Sequence, residues 1–361
     1  MTAKAKTFAF VVAAVALVAL PLVVQSFGQG WVRIMALALL YVMLALGLNI
    51  VVGYAGLLDL GYVAFYAVGA YMYALLASPQ LTENFEWIAR LAPAGLHAPF
   101  VVAVPLAAFL AAVAGILLGL PVLKLRGDYL AIVTLGFGEI IRVFVNNLEY
   151  PVNITNGPRG LDRIDPMHVG GLSLGKPIDI GEFRISSVAL YYYLFLGLVV
   201  VSVLMCSRLE RSRIGRAWMA IREDELAAKA MGIDVRNLKL LAFAMGATFG
   251  GVAGAMFAAF QGFVSPESFT LMESVMIVAM VVLGGIGHIP GVIVGALLLA
   301  ALPEALRYLV GDVQNLSGGR IDAAILRQLL IALAMIGVML LRPRGLWPAP
   351  EHRKAAPAAV R

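Results

Sequence analysis

The chain has 361 residues, 61% of them hydrophobic and only 13% charged, with a formal net charge of +6 and a mean hydropathy of +0.92. An ordinary soluble domain is roughly 45–50% apolar and about 25% charged, so charges this sparse cannot cover a water-soluble body of this size. The 37 Gly follow no three-residue period and Cys206 is the single cysteine, which excludes collagen and a disulfide scaffold and leaves an integral membrane protein.

A helix that crosses a bilayer needs about 20 mostly apolar residues, because its backbone polar groups must be satisfied inside the segment. In chain order such stretches lie at 8–24, 32–52, 60–77, 100–120, 129–145, 188–206, 240–263, 271–286, 292–309 and 324–341. The expected fold is an all-α integral membrane protein of about ten transmembrane helices, some broken. Five spans in each half would make the second half enter the membrane from the opposite face, as two inverted five-helix halves. The permease-like body covers 1–345, with a polar segment at 207–239 and a loop at 148–187, and a basic Ala/Pro-rich tail at 346–361 closes the chain.

Starting from a cytoplasmic N terminus, alternation puts Lys4 and Lys6, Lys124 and Arg126, the 207–239 segment and the tail on one side, with most of the 27 Lys and Arg. The positive-inside rule then places both termini and that segment in the cytoplasm, and the 148–187 loop on the opposite side. The net charge reflects topology and gives no reason to expect nucleic acid, since the basic residues are not interleaved with aromatics on a soluble surface. The first apolar run is expected to stay as an uncleaved helix, because no small-residue cleavage site follows Pro21.

Two stretches read poorly as plain helices. Breaks at membrane depth are tolerated only where they face protein or a water-filled cavity, so these point to a pathway. The first runs from Gly47 to Tyr71, where Gly53, Gly56 and Gly61 weaken the helix while Asn49 and Asp59 bring polar groups toward hydrocarbon. Asp59 should sit at a membrane edge, in a cavity or in a pair; a plainer reading makes it the N-cap of the next helix. The second runs from Val282 to Gly291, with Gly284, Gly285 and Gly287 before Pro290. It is no phosphate loop, since no Lys-Ser or Lys-Thr follows. Gly250, Gly251 and Gly254 are expected to let helices pack closely.

Ionisable residues near the spans are few. Glu139 with Arg142, and Glu304 with Arg307, stand three apart and can pair on one helical face. They are expected as structural pairs near membrane edges rather than as a proton relay, although Glu139 joins Asn49, Gly56, Asp59 and Gly61 as a candidate pathway residue.

The 207–239 segment reads as two short helices. Ile214, Ala217/Trp218 and Ile221 are spaced for one face, and Asp224 can cap a second helix that stops at Gly232. Such a basic amphipathic piece could lie on lipid, but the acidic run Glu223, Asp224, Glu225 would be repelled by anionic headgroups. A protein groove fits better. No motor is encoded: the chain carries no Gly-x-x-x-x-Gly-Lys-Ser/Thr, no metal-ligand cluster and no nucleophile elbow, and its four His are scattered. No catalysis, cofactor or metal is expected.

At these residues the chain resembles the branched-chain amino-acid permease family of ABC importers, most closely the LivM type. The match is carried by Gly-Leu-Asn-Ile from Gly47, the run from Gly56 to Tyr71, the run from Leu125 to Arg142, the run from Gly215 to Ile233, and Leu-Gly-Gly-Ile-Gly-His-Ile-Pro-Gly from Leu283. The resemblance implies a second related permease subunit, two cytosolic ABC ATPases and a periplasmic binding protein delivering leucine, isoleucine or valine across the inner membrane. It also implies that Arg216, Ala220, Arg222, Glu223 and Gly232 belong to the family's ATPase-coupling loop. One departure stands out: Asn156 occupies a position where a second glycine is expected. Two other functions stay open, a urea or amide permease of the same family and an ion-coupled secondary transporter using Asp59 and Glu139.

Overall fold

The computed structural model describes residues 17–91, 95–123, 125, 127–169, 172–180, 183–316, 323–342 and 345–347. Lys4, Lys6, Lys124, Arg126 and the tail beyond 347, on which the charge asymmetry partly rests, lie outside the described residues, as does the start of the first apolar run.

After a helical stretch at 17–24, α1 (Gln29–Asn49) continues into a π-helical turn, Ile50–Tyr54, and an irregular segment leads to α2 (Val63–Leu76). Short helices α3 (Gln80–Asn84) and α4 (Glu86–Leu91) precede α5 (Phe100–Val122) and α6 (Asp128–Asn147). A loop with two hairpins, β1 (His168–Val169) with β2 (Leu172–Ser173) and β3 (Ile178–Ile180) with β4 (Phe183–Ile185), leads to α7 (Ser187–Glu210). Then come α8 (Arg213–Glu223), α9 (Glu225–Ala230), α10 (Val235–Gln261), α11 (Leu271–Gly284), α12 (Ile289–Leu316) and α13 (Ala323–Leu341).

The apolar body is helical, as expected, but the chain is not wholly α. The hairpins fall between apolar segments, where the backbone is free to pair strand to strand because no hydrocarbon forces it into a helix. Asn156, in the same loop, has left-handed backbone angles (φ 59°, ψ 17°), a conformation that Asn tolerates better than other side chains. That accounts for its standing where glycine is expected.

Among the described residues six helices are long and apolar enough to cross a membrane: Gln29–Tyr54, Phe100–Val122, Ser187–Glu210, Val235–Gln261, Pro266–Gly284 and Ile289–Leu306. Two more apolar helices are shorter, Val63–Leu76 and Gln328–Leu341, the first because the irregular segment before it takes up part of the chain. α6 has 20 residues but carries Asp128, Glu139 and Arg142.

α10 is the central post. Against it α5 presents Ala103, Ala107, Ala111, Gly115 and Gly119, all buried and each four residues from the last. Among apolar helices in apolar solvent, close van der Waals approach is the main attraction, and small residues permit it. A Cβ on Gly251 would lie 2.5 Å from the Ala111 Cβ and 2.8 Å from the Ala107 carbonyl oxygen, and one on Gly254 would strike the Tyr66 carbonyl of α2. Gly250 meets the Phe65 Cβ at 3.0 Å in the same way. The three glycines pack helices together, as expected.

Two units resemble each other. α1 with its π turn has 26 residues and α10 has 27; each is followed by an irregular segment and then a helix of 14 residues, α2 and α11. The units run in opposite directions, since Arg33 near the start of α1 bonds Gln261 at the end of α10.

Candidate functional site

The first break starts where α1 widens into its π turn. Gly56 has φ 69°, which a side chain would strain. Beyond it the backbone groups of Leu60 are taken up by two other helices: its N–H donates to Thr134 Oγ1 of α6 at 3.0 Å, and its carbonyl accepts from Ser274 Oγ of α11 at 2.5 Å. An irregular backbone is thus kept satisfied away from water. A Cβ on Gly61 would strike the Thr134 carbonyl, so this glycine lets the break lie flat on α6.

Asp59 is buried, 1% exposed, and its Oδ1 accepts from the Gly61 N–H at 2.9 Å. The N-cap reading is corrected: Tyr62 precedes α2 and makes no side-chain cap, while Asp59 folds an Asx turn onto the backbone two residues ahead. Its Oδ2 has no hydrogen-bond partner among the described residues.

The second break, between α11 and α12, meets the first. Gly285 and Gly287 have φ 122° and 82°, which turns the Gly287 N–H toward α1, where it donates to Asn49 Oδ1 at 2.9 Å. Arg222 of α8 reaches into the same place. Its Nη1 donates to the Gly53 carbonyl at 2.5 Å, and Cβ atoms on Gly56 and Gly287 would lie 2.8 and 2.9 Å from its Cγ and Nη1. The glycines make room for one arginine that touches both breaks. The chain after α13 closes the far side, as Leu346 and Trp347 donate to the carbonyls of Leu283 and Gly284 at 2.7 and 3.1 Å.

α8 and α9 form the two short helices expected. Ser212 caps α8 by accepting from Gly215 N–H, Asp224 caps α9 by accepting from Leu226 and Ala227, and Gly232 follows with φ 81°. Trp218 and Ile221 are buried as read, while Ile214 faces out and Gly215 takes its place. Two contacts fix the pair to α10: Trp218 Nε1 donates to the Leu238 carbonyl at 2.7 Å, and the buried Lys239 Nζ meets Glu225 at 2.9 Å. Arg216 and Glu223 are exposed and Ala220 is half-buried.

Residues 30–339 match the sequence family described as branched-chain amino acid transport system / permease component. The LivM permease protein of the high-affinity branched-chain amino acid transport system of Escherichia coli K12 is 43% identical over 96% of this chain and 76% of its own length. The chain belongs to this permease family. LivM of Salmonella typhimurium is 42% identical over the same shares of each chain, and the E. coli K12 LivH permease protein is 24% identical over 87% of this chain and 93% of its own length. No solved structure matches. This permease is a multi-pass membrane protein.

Four of its five pathway candidates, Asn49, Gly56, Asp59 and Gly61, gather at the first break. Glu139 lies beside them, lining a small cavity with Leu60, Gly138 and Leu271, but its carboxylate is engaged: it accepts from Arg142 Nε at 3.1 Å, and Arg142 continues to Glu267 at 3.5 Å. The Glu304–Arg307 pair lies outside the described residues, since the Arg307 side chain is among those not described. Sequence reasoning missed Thr134, Ser274 and Lys239. A small hydroxyl in an apolar helix is a faint signal, because it also bonds its own helix, as Thr134 does at the Ala131 carbonyl.

Proposed function

We propose that this permease forms half of the translocation pathway of an ATP-driven importer of leucine, isoleucine and valine in a bacterial inner membrane. It works with a second, related permease subunit, two cytosolic ABC ATPases and a periplasmic amino-acid-binding protein, surrounded by membrane lipid. It performs no chemistry and needs no cofactor, since ATP is hydrolysed by the separate subunits.

The observation that carries this reading is Arg222. It belongs to the segment at 207–239 whose exposed Arg216 and Glu223 suit a protein groove, and the same side chain bonds the first break and adjoins the second. A push on α8 therefore reaches both irregular backbones without an intermediate, as a coupling element requires. In this reading Arg216, Ala220 and Glu223 meet an ATPase, Gly232 ends the loop, and Arg222 passes the motion to Asn49, Gly56, Asp59 and Gly61, with Glu139 farther along the pathway. Ten spans cross the membrane with both termini cytoplasmic. The 148–187 loop and its hairpins face the binding protein, the 346–361 tail stays in the cytoplasm, and the antiparallel α1–α2 and α10–α11 units support two inverted halves.

The test is co-purification and uptake with all partners present. Arg216→Glu with Glu223→Lys should release the ATPases and abolish ATP-dependent leucine uptake. Retention of the ATPases at normal uptake would overturn the coupling reading, and uptake by this chain alone on a proton or sodium gradient would replace it with a secondary transporter. A binding protein that retains urea or amides instead of leucine would change the cargo.

A further inference from the structure

α11 ends at Gly284, where Gly285 turns the chain away at φ 122°, and the last carbonyls of a helix have no partner inside it. Leu283 and Gly284 are buried, so their carbonyls have to be met by protein rather than by water. The chain after α13 supplies both partners from consecutive main-chain groups: the Leu346 N–H donates to the Leu283 carbonyl at 2.7 Å and the Trp347 N–H to the Gly284 carbonyl at 3.1 Å. The Trp347 carbonyl in turn accepts from His288 Nδ1 at 2.9 Å, on the other side of the turn. Gly345, buried with φ 89°, lays this strap directly on the second break, since a Cβ there would lie 2.7 Å from the Gly285 Cα. The Trp347 residue is itself 56% exposed, so what the strap contributes is backbone.

Gly285, Ile286 and Gly287 lie between the two ends of this clamp, Gly284 and His288, and the Gly287 N–H is the group that reaches Asn49. We propose that Gly345–Trp347 is a positioning element for coupling: it holds the end of α11 and the turn after it in the orientation that Asn49 and Arg222 meet. A helix end stripped of its outside partners opens locally at small cost. The turn would then leave Arg222, and a push on α8 would move the first break alone. The proposal rests on the coupling reading of Arg222 and adds that the strap decides whether the push reaches both breaks.

The test uses the complete complex in liposomes, with ATP inside and the binding protein outside, and reads labelled leucine taken up against ATP hydrolysed. A chain ending at Trp347 should match the full chain. One ending at Arg344 should still co-purify with the second permease and the ATPases and still hydrolyse ATP, but import about tenfold less leucine per ATP, the scale of one or two lost hydrogen bonds. Leu346→Pro, which deletes one donor, should act in the same way, while Leu346→Ala, which keeps it, should not. In the purified permease, amide exchange should quicken at 283–291 in the chain ending at Arg344 and in Leu346→Pro, with the middle of α10 unchanged. Unaltered leucine per ATP, equal loss in both truncations, or loss of the folded permease in place of uncoupling overturns the positioning role. Absence of ATP-dependent uptake in the unaltered complex would fail the importer reading instead. Exchange then decides the strap on its own: quickening confined to 283–291 upholds it, and unchanged exchange overturns it.

Discussion

The α5–α10 seam and the junction of the two breaks are both rich in glycine, yet a methyl group added to either would do harm for different reasons. At the seam the glycines are ordinary helical residues, and what matters is the absence of a side chain between two backbones, as at Gly251 against Ala107 and Ala111. At the junction Gly56, Gly285 and Gly287 have positive φ, and what matters is the direction in which the peptide groups then point, toward Asn49 and around Arg222. The first use holds the permease together by proximity. The second sets out donors and acceptors that a regular helix would have consumed internally.

This contrast predicts that seam substitutions remove the folded protein, whereas junction substitutions leave it folded and inactive. The largest effect is expected for Gly251→Leu. Overpacking a tight core costs typically about 1–3 kcal/mol, and here the obstruction includes backbone that cannot rotate away, so the yield of monodisperse protein by detergent size-exclusion chromatography should collapse. Gly136→Leu is the control, because a Cβ there meets nothing within 4 Å. A normal yield for Gly251→Leu would break the comparison at its first half.

Next is Arg222→Ala. It removes a charge-assisted contact worth about 1.5–3 kcal/mol, and ATP-dependent uptake should fall about tenfold or more at unchanged yield. Arg222→Lys should not restore it, since Lys puts a compact, strongly hydrated point charge in place of the planar guanidinium that the glycines accommodate. Asn49→Leu should come third: it strands the Gly287 N–H at a cost of about 1–3 kcal/mol, read as a lowered Tm together with reduced uptake. The smallest effect is expected for Trp218→Phe, which keeps the ring but loses the bond to Leu238 and about 1 kcal/mol. Amide exchange should quicken across 213–230 while the middle of α10 stays protected, and equal quickening in both would blur the distinction between segment and post.

Much of the helix layout was legible because hydropathy reports the boundary between hydrocarbon and water. It does not report the boundary between lipid and protein. The Gln29–Tyr54 and Phe100–Val122 helices are about equally apolar, yet over an 18-residue stretch of each, 78% of the first is buried inside the protein and 28% of the second. Only the four-residue spacing of Ala103 to Gly119 marks the inward face of α5. The two breaks were legible too, from glycines beside Asn49 and Asp59, but their meeting was not: Gly287 and Asn49 are 238 residues apart, and nothing local in either run names the other. Arg222 stood out through the family resemblance, whereas its inward reach depends on the tertiary approach of three separate segments.

The anchoring of α8 and α9 to the start of α10, through Trp218 and Lys239, has a further consequence. α10 is a continuous rod of 27 residues, roughly 40 Å long at 1.5 Å per residue, gripped near its middle by α1, α2 and α5 at Gly246, Gly250, Gly251 and Gly254. That grip is a fulcrum. A sideways displacement delivered at the α8 end swings the opposite end the other way, where Gly262 leads into α11 and Val264 bridges Leu161. In the proposed importer, a stroke applied at the α8 end would be returned, reversed in sign, where Val264 meets Leu161.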